Sequence, residues 1–483
     1  MGREGEIFVS LPLVRFASSS CSNSPSDGKR GRFGTMSSST VGSTGIEPQR
    51  GMLVKAVVAS TIGTAIEWYD FFLYSTVTPL VFAKIFFPNS DPLTGTLQAF
   101  LVYFVGFLAR PVGAFIFGHF GDRAGRKAAL ISTLLLMGVA TFLVAFVPPY
   151  SVVGVWGAIL LTVLRFLQGV GVGGEWGGSV LLAMEWTKNF GNRGFVASWP
   201  QFGVPVGLFL ANLAVLGFSA HLPADQFLAW GWRVPFLLSA LLVLVGLWIR
   251  LGILETPTFT RLLEQNQVEK TPALEVIRRQ PKPIFLSPLV RLVEQTPFYL
   301  FTAFVFTYGT QQLKLSKDLL LDAVMLFAVI EFFTIPLCGF ISDRIGRKLT
   351  YLIGAVVAIV VGFLFIALMN TKEPVLVVLG IVLGAIPHSL VYGPQAALIA
   401  EQFTPRMRYS GASIGYQLAS IIAGGPAPLV ATWLLATFKT GTAVSWYIAV
   451  CAVVSIIATL YMTEYSRRDI HEEYEHVGGI RKA

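Results

Sequence analysis

Runs of about twenty apolar residues recur along this chain of 483 residues, each long enough to cross a hydrocarbon layer ~30 Å thick. Twelve can be placed, near residues 53–80, 95–117, 128–147, 153–176, 196–217, 234–254, 288–311, 319–341, 350–369, 374–400, 409–436 and 442–462. Lipid offers the backbone no water, so each such segment must satisfy its own N–H and C=O groups, as a helix does. The expected fold class is an all-α polytopic membrane protein. Composition agrees. Charged residues make up 13% of the chain, hydrophobic ones 54%, and the mean hydropathy is +0.66, whereas soluble domains carry roughly a quarter charged residues.

Between the sixth and seventh runs lies a polar stretch, 255–287, holding Glu264, Glu269, Lys270, Arg278, Arg279 and Lys282. It is too short for a globular domain and reads as a linker. The chain then divides into a tail (1–51), a six-run bundle (52–254), the linker (255–287), a second six-run bundle (288–462) and a closing tail (463–483). Placing both termini and the even-numbered loops in the cytoplasm puts about 28 of the 36 basic residues on that side, as the positive-inside rule requires. The other side holds Lys84, Arg233, Lys314, Lys317, Lys372 and Lys439, while Arg110 and Arg165 lie within the membrane. The net charge of +9 therefore reads as topology beside lipid headgroups and not as a nucleic-acid surface. Residues 10–50 are Ser/Gly-rich and read as disorder; translation from Met36 would leave a tail of ordinary length. Glu6 spoils a myristoylation signal. Cys21, Cys338 and Cys451 give no disulfide or metal spacing.

One internal repeat stands out. Gly118-His-Phe-Gly-Asp122-Arg123-Ala-Gly125-Arg126-Lys127 follows the second run, and Gly339-Phe-Ile-Ser-Asp343-Arg344-Ile-Gly346-Arg347-Lys348 follows the eighth, 221 residues later. The glycines permit a tight turn and close helix approach. The aspartate can accept N–H groups at a neighbouring helix N-terminus. A basic tether to the inner leaflet would explain the cluster; a latch whose charge pairs hold one conformation explains it more fully. Glu175 and Glu185, at the inner end of the fourth run, are grouped with that latch.

The repeated loop resembles the signature of the major facilitator superfamily. Three further stretches resemble its metabolite:proton symporter family: Ile66-Glu67-Trp68-Tyr69-Asp70-Phe71-Phe72, Ala109-Arg110-Pro111-Val-Gly113-Ala, and Arg165-Phe-Leu-Gln168-Gly169 continuing through Gly173-Gly174-Glu175-Trp-Gly177-Gly178. Trp232-Arg233-Val-Pro235-Phe is a fourth. The resemblance spans roughly 52 to 465. It implies two pseudo-symmetric six-helix bundles, a central cavity lined by the first, fourth, seventh and tenth helices, and carriage of organic acids or zwitterions by alternating access. The family's osmosensing branch ends in a coiled coil, and no heptads follow the twelfth run here. Antiporters of the superfamily carry a Gly/Pro signature in the fifth helix. Here Gly194, Gly203 and Gly207 match its opening spacing, but Leu208-Phe209 replace its ending, which leans towards symport.

Ionisable residues in the hydrocarbon region cost roughly 2.5–3.5 kcal/mol each on insertion scales, so they are functional candidates by default. Glu67 and Asp70 share a face of the first helix, about 4.5 Å apart along its axis. Arg165 falls at similar depth in the fourth, so a pairing is expected. One cation facing two carboxylates leaves one acid ready to take a proton. Glu67, Asp70, Arg165 and Glu331 are the proton-coupling candidates, with Glu331 read as the one carboxylate of its half near the bilayer centre, able to relay protons or to pair with His388. Arg165, Arg110, Tyr69, Gln168, Tyr299, His388 and Tyr392 are the substrate-binding candidates. A static buried salt bridge and plain packing are the bland alternatives for these groups.

The expected activity is proton-coupled uptake of a small organic acid or zwitterion across a bacterial-type plasma membrane, by a monomer using neither cofactor nor metal. An efflux antiporter, or an uncoupled or sugar-type porter, remains an alternative. An enzyme is not expected, since the chain shows no nucleophile elbow, phosphate loop or metal-ligand spacing.

Overall fold

The computed structural model describes residues 47–90, 92–185, 192–252, 260, 263–264 and 272–468. The Ser/Gly-rich segment 10–46 with Met36, part of the linker including Glu269 and Lys270, and residues 469–483 lie outside the described residues. Among the described residues the regular structure is helical throughout. The first helix, α1 (Glu47–Val77), carries Lys55, Glu67 and Asp70. Then come α2 (Gln98–Ala124), α3 (Arg126–Val144), α4 (Val155–Met184), α5 (Arg193–His221) and α6 (Phe227–Leu251). In the second half, α7 (Leu292–Tyr299) precedes α8 (Leu319–Ile345), α9 (Arg347–Asn370), α10 (Pro374–Ala400), α11 (Pro405–Leu435) and α12 (Thr442–Tyr461).

Ten of these helices, α2–α6 and α8–α12, are long and apolar enough to cross a membrane. The two other expected spans fall on interrupted segments. α1 bears charge along its length. The seventh run is broken into Pro281–Val290, α7, and π turns at Leu300–Phe304 and Tyr308–Gln312. Pro283, Pro288 and Pro297 each remove a backbone donor, and π turns recur where helices serve a function. Within the expected linker, Pro272–Arg279 is helical. Ala273 and Val276, at i and i+3, are buried against Phe403 and Met407, while Glu275 and Arg279 pair at 2.8 Å on the outer face.

α2 and α4 meet backbone to backbone. A Cβ on Gly113, Gly169 or Gly173 would strike the carbonyl of Val170, Gly106 or Arg110 respectively. This contact brings two arginine-bearing helices as close as helices can come. Large apolar side chains such as Trp248, Phe333 and Val375 stand more than 70% exposed on the outer surface, where lipid, not water, is the neighbour. The polar residues are turned inward: Arg110, Arg165, Arg291, Asp70, Glu331 and His388 are all buried. Gly125 (φ 106°) and Gly346 (φ 102°) make the turns that reverse the chain between α2 and α3 and between α8 and α9, a conformation costly for any residue with a Cβ.

Candidate functional site

The repeated loops close one end of the bundle by crossed capping. Asp122, at the end of α2, accepts the backbone N–H (2.8 Å) and hydroxyl (2.7 Å) of Ser410 in α11. Asp343, at the end of α8, accepts the N–H groups of Gly194 and Phe195 in α5, both at 2.8 Å. Each half thus caps the first turn of a helix in the other, where the helix dipole favours a carboxylate. Arg126 pairs with Asp122 at 2.9 Å and approaches Glu185 at 3.7 Å. Arg347 pairs likewise with Asp343 at 2.9 Å and takes a two-pronged grip on Glu401 at 2.7 and 2.8 Å. Arg193 of α5 joins Glu401 at 3.1 Å. Glu401 is the counterpart of Glu185: Gly177, Leu182 and Glu185 recur 216 residues later as Gly393, Leu398 and Glu401, a sparser repeat than that of the two loops.

Three latch assignments need correction. Glu175 does not join the loop; it is bound by Arg250 of α6, Thr133 and Ser179, because its side chain leaves α4 towards α3 and α6. Arg123 and Arg344 are exposed. They lie beside His119 and over the Phe340 ring and do not reach across to the other half.

Midway along the bundle, α1, α2, α4 and α7 enclose a polar core. Both guanidiniums face one ring: Arg110 lies 4.4 Å and Arg165 4.6 Å from the centre of Phe71. Arg110 also covers Phe107 at 4.6 Å, and Arg165 covers Tyr74 and Tyr103 at 4.4 and 4.7 Å. Gly106 makes room, since a Cβ there would meet Arg165 Nε at 2.6 Å. Arg165 donates to Gln168 (3.3 Å), whose amide donates to Thr141 (2.7 Å). Yet Nε and Nη2 of both arginines, both carboxylate oxygens of Asp70, and the hydroxyls of Tyr74, Tyr103 and Tyr299 are buried without a hydrogen-bond partner. Glu67 is buried and, among the described residues, unpaired.

The expected ion pair between Arg165 and the α1 carboxylates is therefore not formed. The ring faces of Phe71 and Tyr74, one and four residues after Asp70, take the guanidinium instead. Tyr69 is also displaced from the expected role: its hydroxyl donates to the Pro235 carbonyl at 2.9 Å, tying α1 to α6 and facing away from the core.

Comparison with known proteins identifies the family. The sequence matches the model of the Major Facilitator Superfamily over residues 60–424 and again over 296–478. The chain belongs to the Major Facilitator Superfamily. Within this superfamily it is 39% identical to the inner membrane metabolite transport protein YhjE of Escherichia coli K12, over 85% of this chain and 94% of that protein. It is 38% identical to the shikimate transporter of the same strain, over 86% and 95%, and 30% identical to an E. coli proline/betaine transporter, over 90% and 88%. These relatives match the metabolite:proton symporter resemblance. The fold superposes on the proton:xylose symporter XylE with a TM-score of 0.69 at 18% identity, covering 86% of this chain and 97% of that one. The protein is an integral, multi-pass membrane transporter.

The second half of this transporter holds a buried charge chain that the sequence reading saw only in part. His388 in α10 contacts Glu331 of α8 through Nδ1 and lies 3.9 Å from Glu294 of α7 through Nε2. Glu294 is gripped by Arg291 at 2.9 and 3.0 Å. Glu331 is thus not alone in its half. Glu294 was legible by the rule that singles out Glu67, a carboxylate inside an apolar run. Arg291 was counted with the basic side of the membrane because it sits three residues inside the run. Tyr392 stacks on His388 at 4.9 Å, and Tyr299 points to the Arg110 side of the core, its ring 5.4 Å from Phe107.

Proposed function

We propose that this transporter carries a small organic anion together with a proton, by alternating access of its two halves around the core of Arg110, Arg165, Asp70 and Glu67. The buried, unbonded guanidinium N–H groups beside the unbonded Asp70 carboxylate support this reading most. Burying an ion without a partner costs several kcal/mol, and a cation–π contact returns only about 0.5–2 kcal/mol. A substrate carboxylate supplies the missing acceptors, and a guanidinium fork matches its geometry. A relative at 38% identity is named a shikimate transporter, and shikimate bears one carboxylate.

Charge balance supplies the coupling. Two arginines and two ionised carboxylates are neutral together. An entering monoanion leaves the core one unit negative, and a proton on Asp70 or Glu67 restores neutrality, so each ligand favours the other's binding. Glu67 and Asp70 titrate as a pair. The Asp122 and Asp343 loops act as the latch of the closed end, which this reading places in the cytoplasm, with both termini, at the inner membrane of a bacterium. The protein works as a monomer, in the uptake direction.

Proteoliposomes carrying the purified protein test the proposal. Radiolabelled shikimate, 2-oxoglutarate and citrate are offered with and without an imposed pH gradient, alongside xylose and betaine. Accumulation of a carboxylate that follows the pH gradient is the expected result. Transport confined to the uncharged or zwitterionic solutes, or indifferent to the gradient, would overturn it.

A further inference from the structure

The Arg291–Glu294–His388–Glu331 chain shares no residue with the anion core proposed above, which it borders through Tyr299, and its charges do not cancel unless a proton is added. One arginine faces two carboxylates; a protonated His388 between them makes the set neutral. His388 is held for this position. Its ring lies between Phe298 (4.6 Å) and Tyr392 (4.9 Å), with Nδ1 on Glu331 and Nε2 towards Glu294. The other titratable groups packed around the chain are phenols: Tyr299 of α7, Tyr351 of α9, Tyr392 of α10 and Tyr416 of α11. Phenols stay neutral near pH 7, so the balance rests on the four named residues.

The chain also reaches the seam between the halves. Arg291 donates to the Tyr416 carbonyl, and its guanidinium lies 3.1 Å from the centre of the Tyr416 ring. The other face of Tyr416 meets Trp176 of α4 at 3.4 Å, with ring planes 16° apart. Trp176 in turn donates to Gln201 of α5 at 2.9 Å. A stack of Arg291, Tyr416 and Trp176 therefore joins the charge chain of the second half to two helices of the first.

We infer that Arg291, Glu294, His388 and Glu331 form a proton-holding site whose occupancy controls the Tyr416–Trp176 contact between the halves. With the proton present, Arg291 is balanced by Glu294 and free to lie on Tyr416. Without it, two carboxylates compete for the single cation, Arg291 is drawn towards them, and the stack that closes the seam weakens. His388 and Glu331 are positioning residues for the seam, not ligands of the substrate.

Tryptophan fluorescence of the purified transporter in nanodiscs, followed across pH without substrate or gradient, tests this independently of the substrate assignment. The signal of Trp176 is the difference between the parent and Trp176→Phe. A step in that difference with pH is expected. It should persist in Asp70→Asn and be absent in His388→Gln and in Glu331→Gln, each examined in its own Trp176→Phe background. Infrared difference spectra over the same range should show a carboxyl or imidazolium change that is lost in the same two variants. If one variant fails to elute as a folded monomer, the other decides. A Trp176 signal indifferent to pH, a step that survives in His388→Gln or Glu331→Gln, or one lost in Asp70→Asn overturns the inference.

Discussion

Arg110 and Arg165 are anchored by aromatic faces and left short of acceptors, which is how a protein keeps a cation both buried and ready. Replacing Arg165 with lysine keeps the charge but removes the planar fork and its stacking on three rings. About tenfold weaker substrate binding is expected, corresponding to about 1.4 kcal/mol, measured by competition with radiolabelled ligand. Arg110→Lys should weaken binding less, since Gln168 fixes the orientation of Arg165 alone. Asp70→Asn is expected to abolish accumulation against a gradient while sparing counterflow, because exchange moves ligand without net proton movement. If Asp70→Asn and Glu67→Gln both still concentrate substrate under an imposed pH gradient, the coupling acid lies elsewhere. The identities of these residues were legible in the sequence. Their partners were not, because rotamers decide whether a guanidinium at the right depth meets a carboxylate or a ring.

At the scale of elements, the two loops act through helix ends. Asp122 accepts two hydrogen bonds from the first turn of α11, and Asp343 accepts two from the first turn of α5. Asp122→Asn weakens the charge-assisted half of that cap and its pair with Arg126. Uptake is expected to fall severalfold at near-normal substrate affinity, since the loop is remote from the arginine core. Lost affinity at normal protein levels would instead place Asp122 in the binding site. The α2–α4 contact makes a separate prediction. Gly173→Leu drives a side chain into the Arg110 carbonyl and, with no room to relax, should cost at least the ~1–3 kcal/mol typical of overpacking, seen as a clear fall in thermal stability. The repeat announced a shared loop geometry. It did not announce that each loop caps the opposite half, because those partners lie 288 and 149 residues away in the chain.

For the whole molecule, the described ends of the chain meet at the end where the repeated loops lie. Leu53 and Val54 line the same apolar groove as Phe195, whose N–H binds Asp343. After α12, the carbonyls of Tyr465, Ser466 and Arg468 accept from Arg193. Since the basic residues concentrate on that side, a reporter that matures only outside the cytoplasm, fused to residue 483, should stay silent; a strong signal reverses the topology. Hydropathy alone determined that this chain is a bundle of membrane-spanning helices, and the repeated loop determined its two-fold plan, because both are written in residues close together in sequence. Lipid permits few other solutions. Only the tertiary structure decided which charges meet. Arg291, one of the basic residues totalled on the cytoplasmic side, is buried on Glu294; Glu175 turned to Arg250; and Asp70 and Arg165, expected to pair, share a core without touching. Helix packing sets those distances across hundreds of residues, and a local pattern fixes the face a side chain leaves by but not the side chain it finds there.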